Sequence, residues 1–423
     1  MNNLKSLFDF ISSSPSPYHT VASVASELRK EGFTELFEGQ CWALADGGKY
    51  FVKRNGTSLI AFKYKKNATG FNVIASHSDS PSFKVKDTAE QKGVYTRLEV
   101  ERYGGMILYS WLDRPLSVAG RVIVDTEDGI ECKLVNIDKD LLTVPSLAIH
   151  MNRNVNEGYK FNPATDMLPL YSVGGSEISF KSLLAEASAT ESEKIRGYDL
   201  YLYVRDGGRT FGASDEFIIC PRLDDLECVY ASLLAFLEAK DSDAIPVLAV
   251  FDNEEVGSDT KQGAASTFLP LTLERVAGED YSRMLSGSFM LSADNAHAKH
   301  PAHPEMSDPD NAPLLNGGIV IKYNASQKYA TDGLSSAVFG KICERAEVKT
   351  QLYYNRADLP GGSTLGSIAD TKFSVPTVDI GFAQLAMHSA VETAGAHDFS
   401  PMVRAMSEFY STPIRVEGAK IKF

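Results

Sequence analysis

The chain has 423 residues, 43% of them hydrophobic, with 42 Lys and Arg against 55 Asp and Glu and a net charge of −13. That length supports a large core and roughly two or more domains, and the acidic balance excludes a non-specific nucleic-acid binder and a basic membrane-surface protein. Five scattered cysteines (Cys41, Cys132, Cys220, Cys228, Cys343) without a C-x-x-C spacing, an N-terminus without the layout of a signal peptide and the lack of an apolar run near ~20 residues lead to the expectation of a cytoplasmic protein.

Leu4, Leu7, Phe8 and Ile11 have helical spacing, residues 12–17 break it, and residues 21–29 predict a second helix. Strands follow over 49–52, 58–64 and 71–75. The last is a short, mostly apolar run ending just before His77, as expected of a strand covered on both faces. From about Phe83 to Phe217 short alternating stretches recur (95–100, 106–112, 116–124, 200–204) between Gly and Asp. This is the texture of an antiparallel, barrel-like or sandwich module. Within it, residues 186–194 read as a solvated helix or loop.

After Arg222 the pattern changes again. Leu226, Val229, Tyr230, Leu233, Leu234 and Leu237 lie on one helical face. Strands predicted over 246–251, 289–293, 318–323, 351–354 and 377–380 alternate with helices near 263–269, 334–345 and 398–410. The expected fold class is therefore α/β: a mixed sheet with helices on both faces, built from residues 1–85 and 218–423 and interrupted by a β-rich insertion over 86–217.

Chemistry concentrates at the strand ends. Asp252-Asn253-Glu254-Glu255-Val256-Gly257 follows directly on an apolar run. Buried carboxylates are costly unless paired, hydrogen-bonded or metal-bound. Hydrolysis at a metal uses such a pair, one carboxylate to hold the ion and another to take a proton. Both glutamates reach one site only if the backbone turns, which Gly257-Ser258 permits. His77 and Asp79 share a strand-end face, so Asp79 fits the carboxylate that orients a metal-binding imidazole. Asp224 and Asp225 open a helix; Asp224 better suits a metal-bridging role, but the sequence alone does not separate it from its neighbour, and either could be a cap. Asp294 ends a strand, and His388 follows another. His300 and His303 lie in a Pro-stiffened loop and read as loop-shaping or substrate-side, while His397-Asp398 reads as an ordinary helix start. Together the strand ends supply His, Asp, Glu, Asp and His plus one spare Glu, where open α/β sheets build their sites.

His77-Ser78-Asp79, Pro221-Arg222-Leu223-Asp224-Asp225, Asp252-Asn253-Glu254-Glu255-Val256-Gly257-Ser258, Ser292-Ala293-Asp294-Asn295-Ala296-His297 and Leu385-Ala386-Met387-His388-Ser389 resemble the aspartyl aminopeptidase family of dizinc metallopeptidases. Ser14-Pro15-Ser16-Pro17-Tyr18-His19 resembles that family's N-terminal segment. The resemblance implies a β-rich dimerisation domain, homodimers assembling into a dodecamer, and peptide substrates with a free N-terminus. It implies two Zn²⁺ per subunit, with Co²⁺ or Mn²⁺ as substitutes. His77 and Asp294 would hold one zinc, Glu255 and His388 the other, and Asp224 would bridge them. Glu254 would be the general base, His150 would be lent to the partner's site, and Lys322 would stand at the side-chain pocket. Asp225 stands where relatives often have Asn; the 300–305 loop and residues 360–364 also depart from the family pattern, and these two leave acidic and broader N-terminal preferences both open. Two other readings share the ligands: a dizinc amidohydrolase of N-acyl amino acids, and a non-catalytic metal-stabilised assembly protein.

Overall fold

The computed structural model describes residues 2–417 and 420–423. A nine-stranded sheet forms the centre, in the order Thr34–Leu36, Lys49–Arg54, Ser58–Lys63, Ile245–Phe251, Phe71–His77, Phe289–Ala293, Thr377–Gly381, Ile319–Tyr323 and Thr350–Tyr354. The four strands Ile245–Phe251, Phe71–His77, Phe289–Ala293 and Thr377–Gly381 are mutually parallel, so their carboxyl ends share one edge. Every residue of these four is buried, as central strands covered on both faces require. Leu223–Glu238, Gly333–Arg345 and Phe399–Ser411, with the N-terminal pair Asn2–Ser12 and Pro17–Lys30, cover one face; Phe268–Ala277 and Leu365–Phe373 cover the other.

The second helix begins at Pro17 rather than at residue 21, because Pro17 occupies the first helical turn and the Ser16 hydroxyl accepts from the His19 N–H. The helix expected near 263–269 instead spans Phe268–Ala277. Gly263 sits against the Ser258 backbone, too tight for any Cβ, and belongs to the turn before it. Asn72 ties helix to sheet: its Nδ2, fully buried, donates to the carbonyls of Phe409 and Thr412, both at 2.8 Å. Asn72→Ala is expected to destabilise the protein by about 1–3 kcal/mol, seen as a lower denaturant midpoint with an unchanged slope.

The insertion folds as a six-stranded antiparallel sheet in the order Gly129–Asn136, Leu116–Thr126, Ile195–Val204, Ser82–Gln91, Tyr95–Tyr103 and Leu170–Val173, with its own core around Phe83, Leu98, Trp111, Val118 and Leu200. The expected boundary at 85/86 falls inside the strand Ser82–Gln91. Residues 106–112 form a 3-10 turn, Leu108–Trp111, and not the expected strand. The stretch at 186–194 is the end of helix Phe180–Ala187 followed by the turn Ser192–Lys194. A third, five-stranded sheet pairs Phe217–Cys220 with Glu392–Gly395 and the latter with Ala383–Leu385. His388 stands on the hairpin loop between those last two strands.

Candidate metal centre

At the carboxyl edge of the four parallel strands His77, Asp224, Asp225, Glu254, Glu255, Asp294 and His388 come together. His77 is paired across from Phe251, so the strand bearing His77 and the strand leading into Glu254 end in register. Asn253 takes a left-handed conformation (φ 61°) and Gly257 another (φ 99°), and the chain between them folds as a 3-10 turn. That turn brings Glu254 and Glu255 to one site, which an extended strand would forbid. Asp224 and Asp225 begin Leu223–Glu238 with non-helical dihedrals, and the peptide between them is cis.

Asp224 is the centre of the cluster. Its Oδ1 lies 3.4 Å from His77 Nε2 and its Oδ2 lies 3.5 Å from His388 Nε2. Glu255 Oε2 is also 3.5 Å from His388 Nε2. Three sets of donor atoms converge within 4.8 Å: His77, Asp224, Asp225 and Asp294; His77, Glu254 and Glu255; Asp224, Glu255 and His388. Asp79 stands behind His77. Its carbonyl is 3.0 Å and its Oδ1 3.5 Å from Nδ1, so Nε2 is the nitrogen turned to the cluster.

The electrostatics are those of crowded carboxylates. Burial, then repulsion from Asp294, Asp79 and Asp224, pushes Glu254 up to about 8 despite His77. Burial and the neighbouring Asp224 and Glu254 raise Glu255 well above the carboxylate range, and burial also raises Asp225 and Asp294. Burial would lower His77, but Asp225, Asp224, Asp79 and Glu254 outweigh it and raise it well above its ordinary value. Asp224 Oδ1, Asp225 Oδ1 and Glu255 Oε1 are buried without a hydrogen-bond donor. Carboxylate oxygens in that condition are strongly unfavourable unless a cation meets them. Imidazole and carboxylate donors at these separations suit zinc.

Asp225 and three residues that the sequence left unassigned support the cluster. Glu392, 1% exposed, accepts the Asp224 N–H at 3.0 Å and the His388 N–H at 2.8 Å, locking the backbones of both. Asp225 Oδ2 accepts the His77 N–H at 3.1 Å. Tyr103 and Gly105 reach in from the insertion to Asp79 and His388. Of the three unassigned residues only Glu392 left a mark in the sequence, as a carboxylate beside the apolar Ala390 and Val391.

Besides Asp79, the named Lys322, His150, His300 and His303 lie outside the donor cluster. Lys322 is 1% exposed, and its Nζ donates to the carbonyls of Asp294 (2.7 Å) and Asn295 (3.2 Å), with Asp294 Oδ2 at 3.7 Å. His150 is exposed on the insertion, beside the exposed Leu147, Ile149 and Met151. His300 and His303 are exposed and face each other with ring centroids 5.3 Å apart; His300 Nδ1 accepts the Ala302 N–H, and His303 pairs with Glu305. His397-Asp398 does open the helix Phe399–Ser411.

Residues 10–410 match the family described as aminopeptidase I zinc metalloprotease (M18). The chain is similar to a probable M18 family aminopeptidase 2 from Clostridium acetobutylicum, with 45% identity over 96% of this chain and 98% of that one. It is also similar to a protein of the same description from Pseudomonas entomophila, with 39% identity over 96% of this chain and 97% of that one. Among solved structures it resembles a chain of the Ape4 and Nbr1 complex (35% identity, TM-score 0.93, 96% of this chain and 85% of that one). It also resembles the S. cerevesiae mApe1 dodecamer (28% identity, TM-score 0.85, 96% of this chain and 95% of that one).

Proposed function

The chain belongs to the M18 zinc aminopeptidases, and from that premise we propose which of its residues hold metal and which moves the proton. It is a zinc-dependent hydrolase of peptides, acting at their N-termini. The proposed donor sets are His77 with Asp294 for one zinc and Glu255 with His388 for a second, with Asp224 shared. The observation that carries this is the placement of the two Asp224 oxygens, each facing a different imidazole at 3.4 and 3.5 Å. When bound, zinc supplies Lewis acidity at the reacting water and the scissile carbonyl. Glu254 is the proposed general base: it takes the proton from the attacking water and delivers it to the leaving amine. It sits on the same turn as Glu255 yet is not needed to complete either proposed set. Asp79 keeps His77 in the tautomer that presents Nε2. Glu254→Gln, argued in the Discussion, is the test of this assignment.

For the substrate side, Lys322 is the proposed partner of an acidic side chain, being a buried cation beside the cluster. Lys322→Ala is expected to slow release of N-terminal Glu and Asp more than release of Leu, measured as kcat/KM on the three chromogenic substrates. An equal loss on all three would assign the ammonium to the Asp294–Asn295 turn alone.

Residues 86–217 are proposed as a dimerisation module whose exposed His150 is lent to the partner's site, with dimers assembling into a dodecamer. The exposed apolar residues around His150 and the dodecamer of the yeast relative support this. A cytoplasmic setting is proposed on the five cysteines, all free. Among the described residues no helix is long and apolar enough to cross a membrane.

A further inference from the structure

The insertion does more around the cluster than its place in an assembly requires. Its residues 103–110 leave the strand Tyr95–Tyr103, pass the metal centre and enter the turn Leu108–Trp111. Along that path the segment holds both halves of the site. The Tyr103 hydroxyl donates to Asp79 Oδ2 at 2.6 Å and accepts from Asn253 Nδ2 at 2.8 Å. Asp79 in turn accepts the Glu254 N–H at Oδ1 and the Glu255 N–H at Oδ2, both at 3.2 Å. One fully buried carboxylate thus joins Tyr103, the glutamate turn and His77. Two residues later the Gly105 carbonyl accepts the His388 Nδ1 proton, which leaves Nε2 to face Asp224 and Glu255. The Ile107 N–H then donates to the His388 carbonyl at 3.0 Å, and Ser110 Oγ accepts the Ala390 N–H at 2.9 Å.

The fit is close. Gly104 has φ +77°, and a Cβ there would lie 3.1 Å from the Glu255 Cβ. Burial and the charge of Asp79 keep the Tyr103 phenol protonated, so it stays a donor. A hydroxyl given to a buried carboxylate is a charge-assisted bond, stronger than a neutral one and more costly to remove. Without it Asp79 would keep its two amide partners but lose the contact that fixes its rotation from the insertion side.

We propose that Tyr103, carried by the β-rich insertion, is a positioning residue for Glu254, Glu255 and His77 of its own chain, acting through Asp79. The insertion then serves the chemistry of its own subunit directly. This rests on the ligand and base assignment proposed above.

The test is Tyr103→Phe in the full-length zinc-loaded protein, which removes one oxygen and leaves the ring. Expected are a kcat about 10–100-fold lower, KM changed by less than about 3-fold, and zinc held about 10-fold more weakly in chelator competition. Tyr198→Phe is the matched control. Its hydroxyl donates to the Lys86 and Asp87 carbonyls (2.6 and 2.9 Å) elsewhere in the same module, so it is expected to lower the melting temperature without changing kcat. If Tyr103→Phe does not fold at the assay temperature, the same three readings at a lower temperature, where its circular dichroism matches the wild type, carry the test. Wild-type kcat and zinc affinity in Tyr103→Phe, or an equal kcat loss in Tyr198→Phe, would overturn the proposal. Glu254→Gln run alongside separates the two levels. A fast Glu254→Gln enzyme removes the site assignment itself, whereas a slow one beside a normal Tyr103→Phe enzyme removes only the role of Tyr103.

Discussion

Glu254→Gln is expected to bind zinc as the wild type does and to lose ~10²–10⁴ in kcat. The substitution keeps the shape of the side chain and removes its proton affinity. None of the proposed donor sets needs Glu254: Asp224 Oδ1 faces His77, and Asp224 Oδ2 and Glu255 Oε2 face His388. The backbone of the turn is also indifferent to the change, since it is the Glu254 N–H, not the side chain, that Asp79 holds at 3.2 Å. Metal content by atomic absorption and kcat from initial rates separate the two effects. Loss of zinc together with loss of rate would make Glu254 a ligand, and a near-wild-type rate would remove it as the base.

Asp224→Ala is expected to be the more damaging change, because it strips a donor from both proposed sets at once. The zinc content should fall below one per chain after dialysis against a weak chelator, and turnover should drop to background. Truncation also leaves His77 and His388 facing each other across the lost carboxylate, and no remaining carboxylate reaches both imidazoles as Asp224 does. The fold should persist, because the Asp224 N–H keeps its bond to Glu392 and Leu223–Glu238 stays packed on Phe399–Ser411. Circular dichroism checks that point. Two retained zincs in a folded Asp224→Ala protein would contradict the shared-ligand assignment.

The two-faced α/β sheet and its β-rich insertion were readable because both follow from local pattern. Buried apolar runs such as Ile245–Phe251 mark central strands, and alternation marks the antiparallel module. That His77, Glu254, Glu255 and Asp294 lie near one another was readable for a related reason: a carboxylate or imidazole at or just after the end of such a run lies at the sheet edge. The choice between Asp224 and Asp225 was not readable, because it depends on side-chain direction. In the structure Asp224 is the one whose oxygens face both imidazoles, while Asp225 Oδ2 accepts the His77 amide. Tyr103 and Gly105 were out of reach altogether. Their contacts are to residues 24 and 283 positions away, set by how the insertion docks. The same docking explains the strand wrongly expected at 106–112. Its Met106, Leu108 and Leu112, all of one parity, look extended, but the Ile107 carbonyl accepts from the Ser110 hydroxyl while the Ile107 amide is bonded to the His388 loop, and the chain turns.

The central claim is that side chains distant in sequence converge to hold two zinc ions around Asp224 while Glu254 stays free. Anomalous diffraction at the zinc edge from crystals of the full-length protein tests it most directly. The expected result is two peaks about 3.5–4 Å apart, one against His77 and Asp294, the other against Glu255 and His388, with Asp224 touching both. A single peak, or peaks with Glu254 in the coordination sphere and Asp224 outside it, would contradict it.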